Sequence, residues 1–161
     1  MRLPKTIRFD ASDTHAFERA AAPGEWAVTG AFVFADVDPE ALVGKARQAF
    51  VSGFLGTDSF GWSTFVAVSR ISAEQYRAVI ATLVEHLMTQ FGAPNRVAAE
   101  AAAREEAEFA MSLCEHKLNT ILCVTRALEN EGIVERFRVI EQAPEPAHAK
   151  VWEILEDDDG A

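Results

Sequence analysis

Trp62-Ser-Thr-Phe-Val-Ala-Val-Ser-Arg-Ile71, followed directly by Ser72-Ala-Glu-Gln75 and an apolar stripe to Phe91, decides the fold class. Val66 and Val68, two residues apart among β-favouring neighbours, predict a strand over residues 62–71. Ser72 and Gln75 form a capping box, in which each side chain takes up a backbone N–H that the first helical turn leaves open. Tyr76, Ile80, Leu83, Leu87 and Phe91 then share one helical face, with Val79, Val84 and Met88 beside it. Gly92 stands where a C-terminal cap belongs, and Pro94 prevents continuation. Asn95 caps a second helix that begins at once, rich in Ala and Glu, from Arg96 to about Cys114. Two helices in succession after a strand break the alternation that a doubly wound parallel sheet requires.

The remaining chain extends this pattern. Residues 5–9 predict a strand and residues 10–13 a turn, while residues 14–20 fit strand or helix equally. Residues 22–25 are a turn. Large residues at Trp26, Val28, Phe32 and Phe34 predict a strand over 26–35, with Gly30 marking a bulge or a close backbone approach. Asp38-Pro39-Glu40 predicts a helix start, continuing to about Ser52, and residues 53–61 a loop. Residues 120–128 and 133–141 predict a hairpin through Asn130-Glu-Gly132. The expectation is an α+β fold: an antiparallel or mixed sheet of about five strands, with three helices packed on one face. Residues 1–143 would form one domain and residues 144–161 an acidic, partly disordered tail.

The charge is uneven. The chain of 161 residues has 15 Lys and Arg against 25 Asp and Glu, a net charge of -10. Residues 129–161 carry ten acids and three bases, whereas the first 128 residues carry fifteen and twelve. This balance disfavours nucleic acid and anionic membranes, which select basic surfaces. It leaves open a basic protein partner. No apolar run reaches the roughly 18 residues of a membrane span, no signal peptide is evident, and two cysteines make no disulfide framework. A cytoplasmic location is expected.

Chemical motifs are sparse. Gly56-Thr-Asp-Ser-Phe-Gly61 has the glycine spacing of a phosphate-binding loop, but Trp62 stands where that loop needs lysine. No Gly-x-Gly-x-x-Gly and no Gly-x-Ser-x-Gly occurs. Cys114 and His116 at a helix end are too few for a structural zinc site, so no metal, cofactor or catalytic residue is assigned. Glu100, Arg104, Glu105, Glu106 and Glu108 read as a solvated helix face. What remains is the segment 50–63, where three glycines and four large aromatics surround a helix-to-strand connection. Phe54, Asp58, Ser59, Phe60 and Trp62 are its candidate binding residues. Arg136 and Arg138, two apart on a predicted strand, share a face that Arg126 of the neighbouring strand could join to hold an anion. The Ala-rich stripe over 97–110 suits a helix of this chain or of a second copy.

Three segments, Leu3-Pro-Lys-Thr-Ile-Arg-Phe-Asp-Ala-Ser-Asp13, Phe54-Leu-Gly-Thr-Asp-Ser-Phe-Gly-Trp-Ser-Thr64 and Ser112-Leu-Cys-Glu-His116, resemble a family of small bacterial cytoplasmic proteins of unknown function. The resemblance covers about residues 1–141 and implies a single bacterial domain without implying any chemistry. The functional expectation is a non-catalytic accessory or protein-interaction domain that docks a partner through the aromatic loop. The alternative is a small-molecule site or enzyme, with a pocket between residues 53–62 and the sheet and with Asp58, Ser59 and Arg136 or Arg138 as contacts.

Overall fold

The computed structural model describes residues 1–130 and 132–141; the tail expected over 144–161 lies outside them. The fold is α+β. Strands β1 (Arg2–Ile7), β5 (Phe65–Arg70), β6 (Ile121–Glu129) and β7 (Gly132–Ile140) form an antiparallel sheet in the order β1-β5-β6-β7. A smaller antiparallel sheet contains β2 (Ala27–Val28), β3 (Phe54–Gly56) and β4 (Trp62–Ser63). Seven strands in two sheets therefore stand where about five were counted. A bridge between Lys5 and Trp26 links the two sheets at the β1 edge, which leaves β7 as the outer strand at the other side. The helices are α1 (Ser12–Ala16), α2 (Gly44–Ser52), α3 (Ala73–Gln90) and α4 (Arg96–Ser112). Among the described residues, no helix is long and apolar enough to cross a membrane.

The strand expected over 62–71 is divided at Thr64 into β4 of the small sheet and β5 of the large one, whereas the two helices that follow start as expected. Ser72 Oγ accepts from Gln75 N–H at 3.0 Å, and Gln75 Oε1 accepts from Ser72 N–H at 2.9 Å. Asn95 Oδ1 accepts from Ala98 N–H at 2.8 Å and starts α4. Val79, Ile80, Leu83, Val84 and Leu87 of α3 are buried together with Ala99, Ala103, Ala107 and Ala110 of α4, all four alanines being fully covered. The alanine stripe thus packs within this chain, its small side chains allowing the two helix backbones to approach closely. Each large aliphatic side chain in this cluster contributes about 1.5–3 kcal/mol by leaving water.

Three further local expectations are corrected. Residues 26–35 form a strand only at Ala27–Val28. Gly30 then takes φ +88°, and a Cβ there would stand 2.8 Å from both Leu55 Cβ and the Trp62 ring. The chain turns under that close approach into a 3-10 turn, Ala31–Phe34. Asp38 does cap Glu40 N–H at 3.1 Å, but the capped element is the 3-10 turn Pro39–Ala41, and α2 starts afresh at Gly44. Residues 53–61 are not all loop, because β3 crosses them with its three residues buried. The ambiguous segment 14–20 contributes the end of α1. There the buried Asp13 carboxylate takes the Thr64 hydroxyl at 2.6 Å and the Thr64 N–H at 3.2 Å.

Candidate functional site

The loop that joins β3 to β4, residues 57–61, is held from below by one carboxylate. Glu25 is 6% exposed. Its Oε1 accepts from the N–H groups of Asp58 (3.1 Å) and Ser59 (2.9 Å), and its Oε2 accepts from Ala22 N–H (2.7 Å) and Ser59 Oγ (2.7 Å). Burial alone would raise the Glu25 pKa. The bonds from Ser59, Ala22 and Asp58 together outweigh burial and hold it below the ordinary glutamate value. Gly56 is required beside it, since any side chain there would run into Glu25 Oε1. A carboxylate kept ionised by four donors is a fastener and is poorly suited to moving protons. The sequence signal for it was faint: a glutamate in a Pro-Gly turn reads as solvent-exposed.

Beside this loop lies a cleft of about 300 Å³, bounded by Gly24, Glu25, Trp26, Thr57 and Asp58 on one side and by Gln75, Ala78, Val79 and Thr82 of α3 on the other. The expected pocket between the loop and the sheet is thus placed against a helix instead. One turn beyond Thr82 on α3, His86 lies flat on Phe60, with ring centroids 3.6 Å apart and planes within 4°. Burial first, and then Arg19, lowers the His86 pKa, so the imidazole is neutral near pH 7. Phe60 itself has φ 56°, a strained conformation for a bulky residue. His86 and Phe32 both pack on Phe91, extending the aromatic ledge.

The other named residues divide cleanly. Phe54 is fully buried. Trp62 stacks on Phe34 at 5.4 Å, and its ring fills the space that Gly30 and Gly53 leave. Ser59 belongs to the Glu25 fastening, so Asp58 is the exposed member of the loop set, with Phe60 half-buried against His86. Arg136 is exposed and forks onto Glu129 at 2.8 and 3.1 Å. Arg138 is exposed on the same face of β7, two residues on. Phe137, between them, turns the other way, toward Phe54. The two arginines therefore point away from the loop, and neither lines the cleft.

Arg126 does not join them. The register pairs Arg126 with Glu135 and Thr125 with Arg136, which puts Arg126 on the opposite face. Its side chain is fully buried against a Glu135 carboxylate at 3.0 Å. The same guanidinium donates to four backbone carbonyls: Phe50 (2.7 Å) and Ala49 (3.3 Å) at the end of α2, Thr29 (2.7 Å), and Gly53 (3.1 Å). It thus joins the end of α2 with its Gly53 cap, the residue after β2, and β7. Glu106 of α4, which had read as part of a solvated face, sits near this centre, because Phe109 one turn later packs on Phe137 of β7. Burial, then Glu135 and Glu105, push the Glu106 pKa up to about 7, against a smaller opposing pull from Arg126.

A pH dependence follows. Folded Glu106 keeps a proton that the unfolded chain releases from about pH 4.5 upward, so stability falls as pH rises from there to about 7 and then levels off. Urea unfolding of wild type and Glu106→Gln at about pH 5 and about pH 8 reads this directly. The Gln variant gains on wild type at the higher pH; an equal difference at both would show ordinary titration of Glu106.

Cys114 is buried, and burial pushes its thiol up to about 12, an unreactive state at neutral pH. Among the described residues no group of three His, Cys, Asp or Glu side chains is placed to hold a metal ion. A family of unknown function (DUF6505) matches residues 1–153. The chain belongs to that family. The DUF6505 match takes in every element of both sheets, all four helices and the cleft. No curated protein and no solved structure matches the chain.

Proposed function

We propose that this DUF6505 protein is a non-catalytic interaction domain of the bacterial cytoplasm, and that it holds a protein partner at the cleft between α3 and residues 57–60. The observation that carries the reading is the cleft itself, walled by a helix on one side and on the other by a loop that a buried glutamate holds fixed. Rigid loops on a packed scaffold are where binding surfaces concentrate. Of the ionisable groups that line the cleft, Glu25 is an anion fastened by four donors and Asp58 is exposed.

Ala78→Trp tests the reading by filling the cleft from an exposed position on α3. Affinity capture from the host lysate should yield a stoichiometric partner with wild type and lose it with the variant, the circular dichroism of the two being alike. Retention of the same partner by the variant, or repeated absence of any partner, rejects the assignment. A small-molecule site is the second reading, favoured by a volume at the lower end of the range of ligand pockets. A metabolite that raises the melting temperature of wild type and not of Ala78→Trp would move the assignment there.

A further inference from the structure

The outer strand of the large sheet, β7, has an open side. Its register pairs Glu129 with Gly132 across the turn, so the even-numbered residues of β7 bond back to β6. The N–H and C=O groups of Ile133, Glu135, Phe137 and Val139 therefore point outward, and among the described residues they meet no backbone partner. The two faces along this edge differ. On one, Val139 is 40% exposed, and Phe109 of α4, packed on Phe137, is 43% exposed. On the other stand Arg136 and Arg138, both exposed, and Arg138 makes no ion pair among the described residues. A nine-residue edge with open peptide groups is a template for another strand.

A segment that fits this edge is extended, with large apolar side chains toward Phe109 and an acid toward the arginines. Residues 150–156, Lys-Val-Trp-Glu-Ile-Leu-Glu, alternate in that way: Trp152 and Ile154 share one side, and Glu153 lies on the other between Val151 and Leu155. We propose that residues 150–156 add to the free edge of β7 as a further antiparallel strand, with Trp152 and Ile154 over Phe109 and Val139 and with Glu153 beside Arg136 and Arg138. Val151 and Leu155 then lie along the alkyl stems of the arginines. Residues 142–149 make the connection. They hold Pro144 and Pro146, which cannot donate to a sheet ladder, whereas 150–156 holds no proline. Extended, that connection reaches about 26–29 Å, far more than the roughly 4.8 Å to a neighbouring strand. The family match runs past β7 to residue 153 and takes in Trp152 and Glu153. A second copy suits the edge less well. Two-fold pairing of β7 with itself about Glu135, Arg136 or Phe137 sets Glu135 against Glu135, Arg136 against Arg136, or Arg136 against Arg138. Like charges directly opposite destabilise a sheet.

Amide exchange, followed by NMR on the full chain, tests the added strand. In wild type the amides of Ile133, Glu135, Phe137 and Val139 should be protected. Trp152→Asp should speed these four at least about tenfold and leave Val134, Arg136 and Arg138, which bond to β6, protected. A generally weakened fold would release both sets together. Glu153→Arg should speed the four about two- to fivefold, the ratio that one exposed ion pair supplies, and Arg138→Glu in the same chain should restore most of the protection. The proposal falls if the four exchange fast in wild type, if they stay protected in Trp152→Asp, or if Glu153→Arg leaves them unchanged. It falls also if their protection rises with protein concentration, which would give the edge to a second copy. Capture of a partner at the cleft, kept or lost in Ala78→Trp, bears on none of these signals.

Discussion

Arg126→Ala is expected to lower stability by about 3–5 kcal/mol, the range found when one partner of a buried charged network is removed. The guanidinium is fully covered and serves five acceptors: the Glu135 carboxylate and the carbonyls of Thr29, Ala49, Phe50 and Gly53. Alanine would leave all five without this donor, in a place that water reaches poorly, and would strand the Glu135 charge. A domain of this size has only about 5–15 kcal/mol in total, so the variant should unfold at a much lower urea concentration. Lysine is no substitute, because a compact ammonium with three donors cannot reach acceptors spread around a planar fork. Arg126→Lys is therefore expected to fall well below wild type too. Unfolding free energies within about 0.5 kcal/mol of wild type for either variant would show that the centre is not structural.

Phe54→Ala is the second large effect, at about 3–5 kcal/mol. Phe54 is fully buried with Ala27, Val66, Val68, Leu122 and Val124, and its ring meets Phe137 at 6.1 Å. Truncation leaves a cavity between the small sheet and the large one, whose walls are strands that cannot easily collapse inward. Trp62→Ala should also be destabilising, since that ring fills the hollow at Gly30 and Gly53 and stacks on Phe34. Calorimetry and urea titration would record both. A Phe54→Ala protein as stable as wild type would return that residue to the list of surface contacts. If both variants are destabilised as expected, docking at this loop belongs to Asp58 and Phe60.

What could be read from residues alone was mostly local. The Ser72–Gln75 capping box, the stripe from Tyr76 to Leu87 and the Asn95 cap each depend on neighbours within one or two turns, and all appear as expected. The hairpin strands β6 and β7 have the expected bounds to within a residue at each end. The failures are long-range. The strand expected through Gly30 is cut short by Leu55 and Trp62, more than twenty residues away along the chain. Arg126 sits in a strand between Thr125 and Ala127, a context that usually faces water, and its burial depends on carbonyls contributed by separate elements. Glu25 is similar: the loop that it fastens lies more than thirty residues on. The cleft combines both kinds of information. Its α3 wall was legible as a helical face, whereas its other wall exists only once Glu25 has drawn residues 57–59 into place.

The Arg126 centre also imposes an order in time. Its carbonyl partners precede it by 73 to 97 residues. A chain synthesised from its N-terminus exposes the end of α2, the turn after β2 and the start of β3 long before their common donor has been made. Until β6 is laid down, those carbonyls lack this charged donor, and Ala49 O has only Gly53 N–H. The N-terminal third of the protein therefore receives its one buried guanidinium from the closing hairpin.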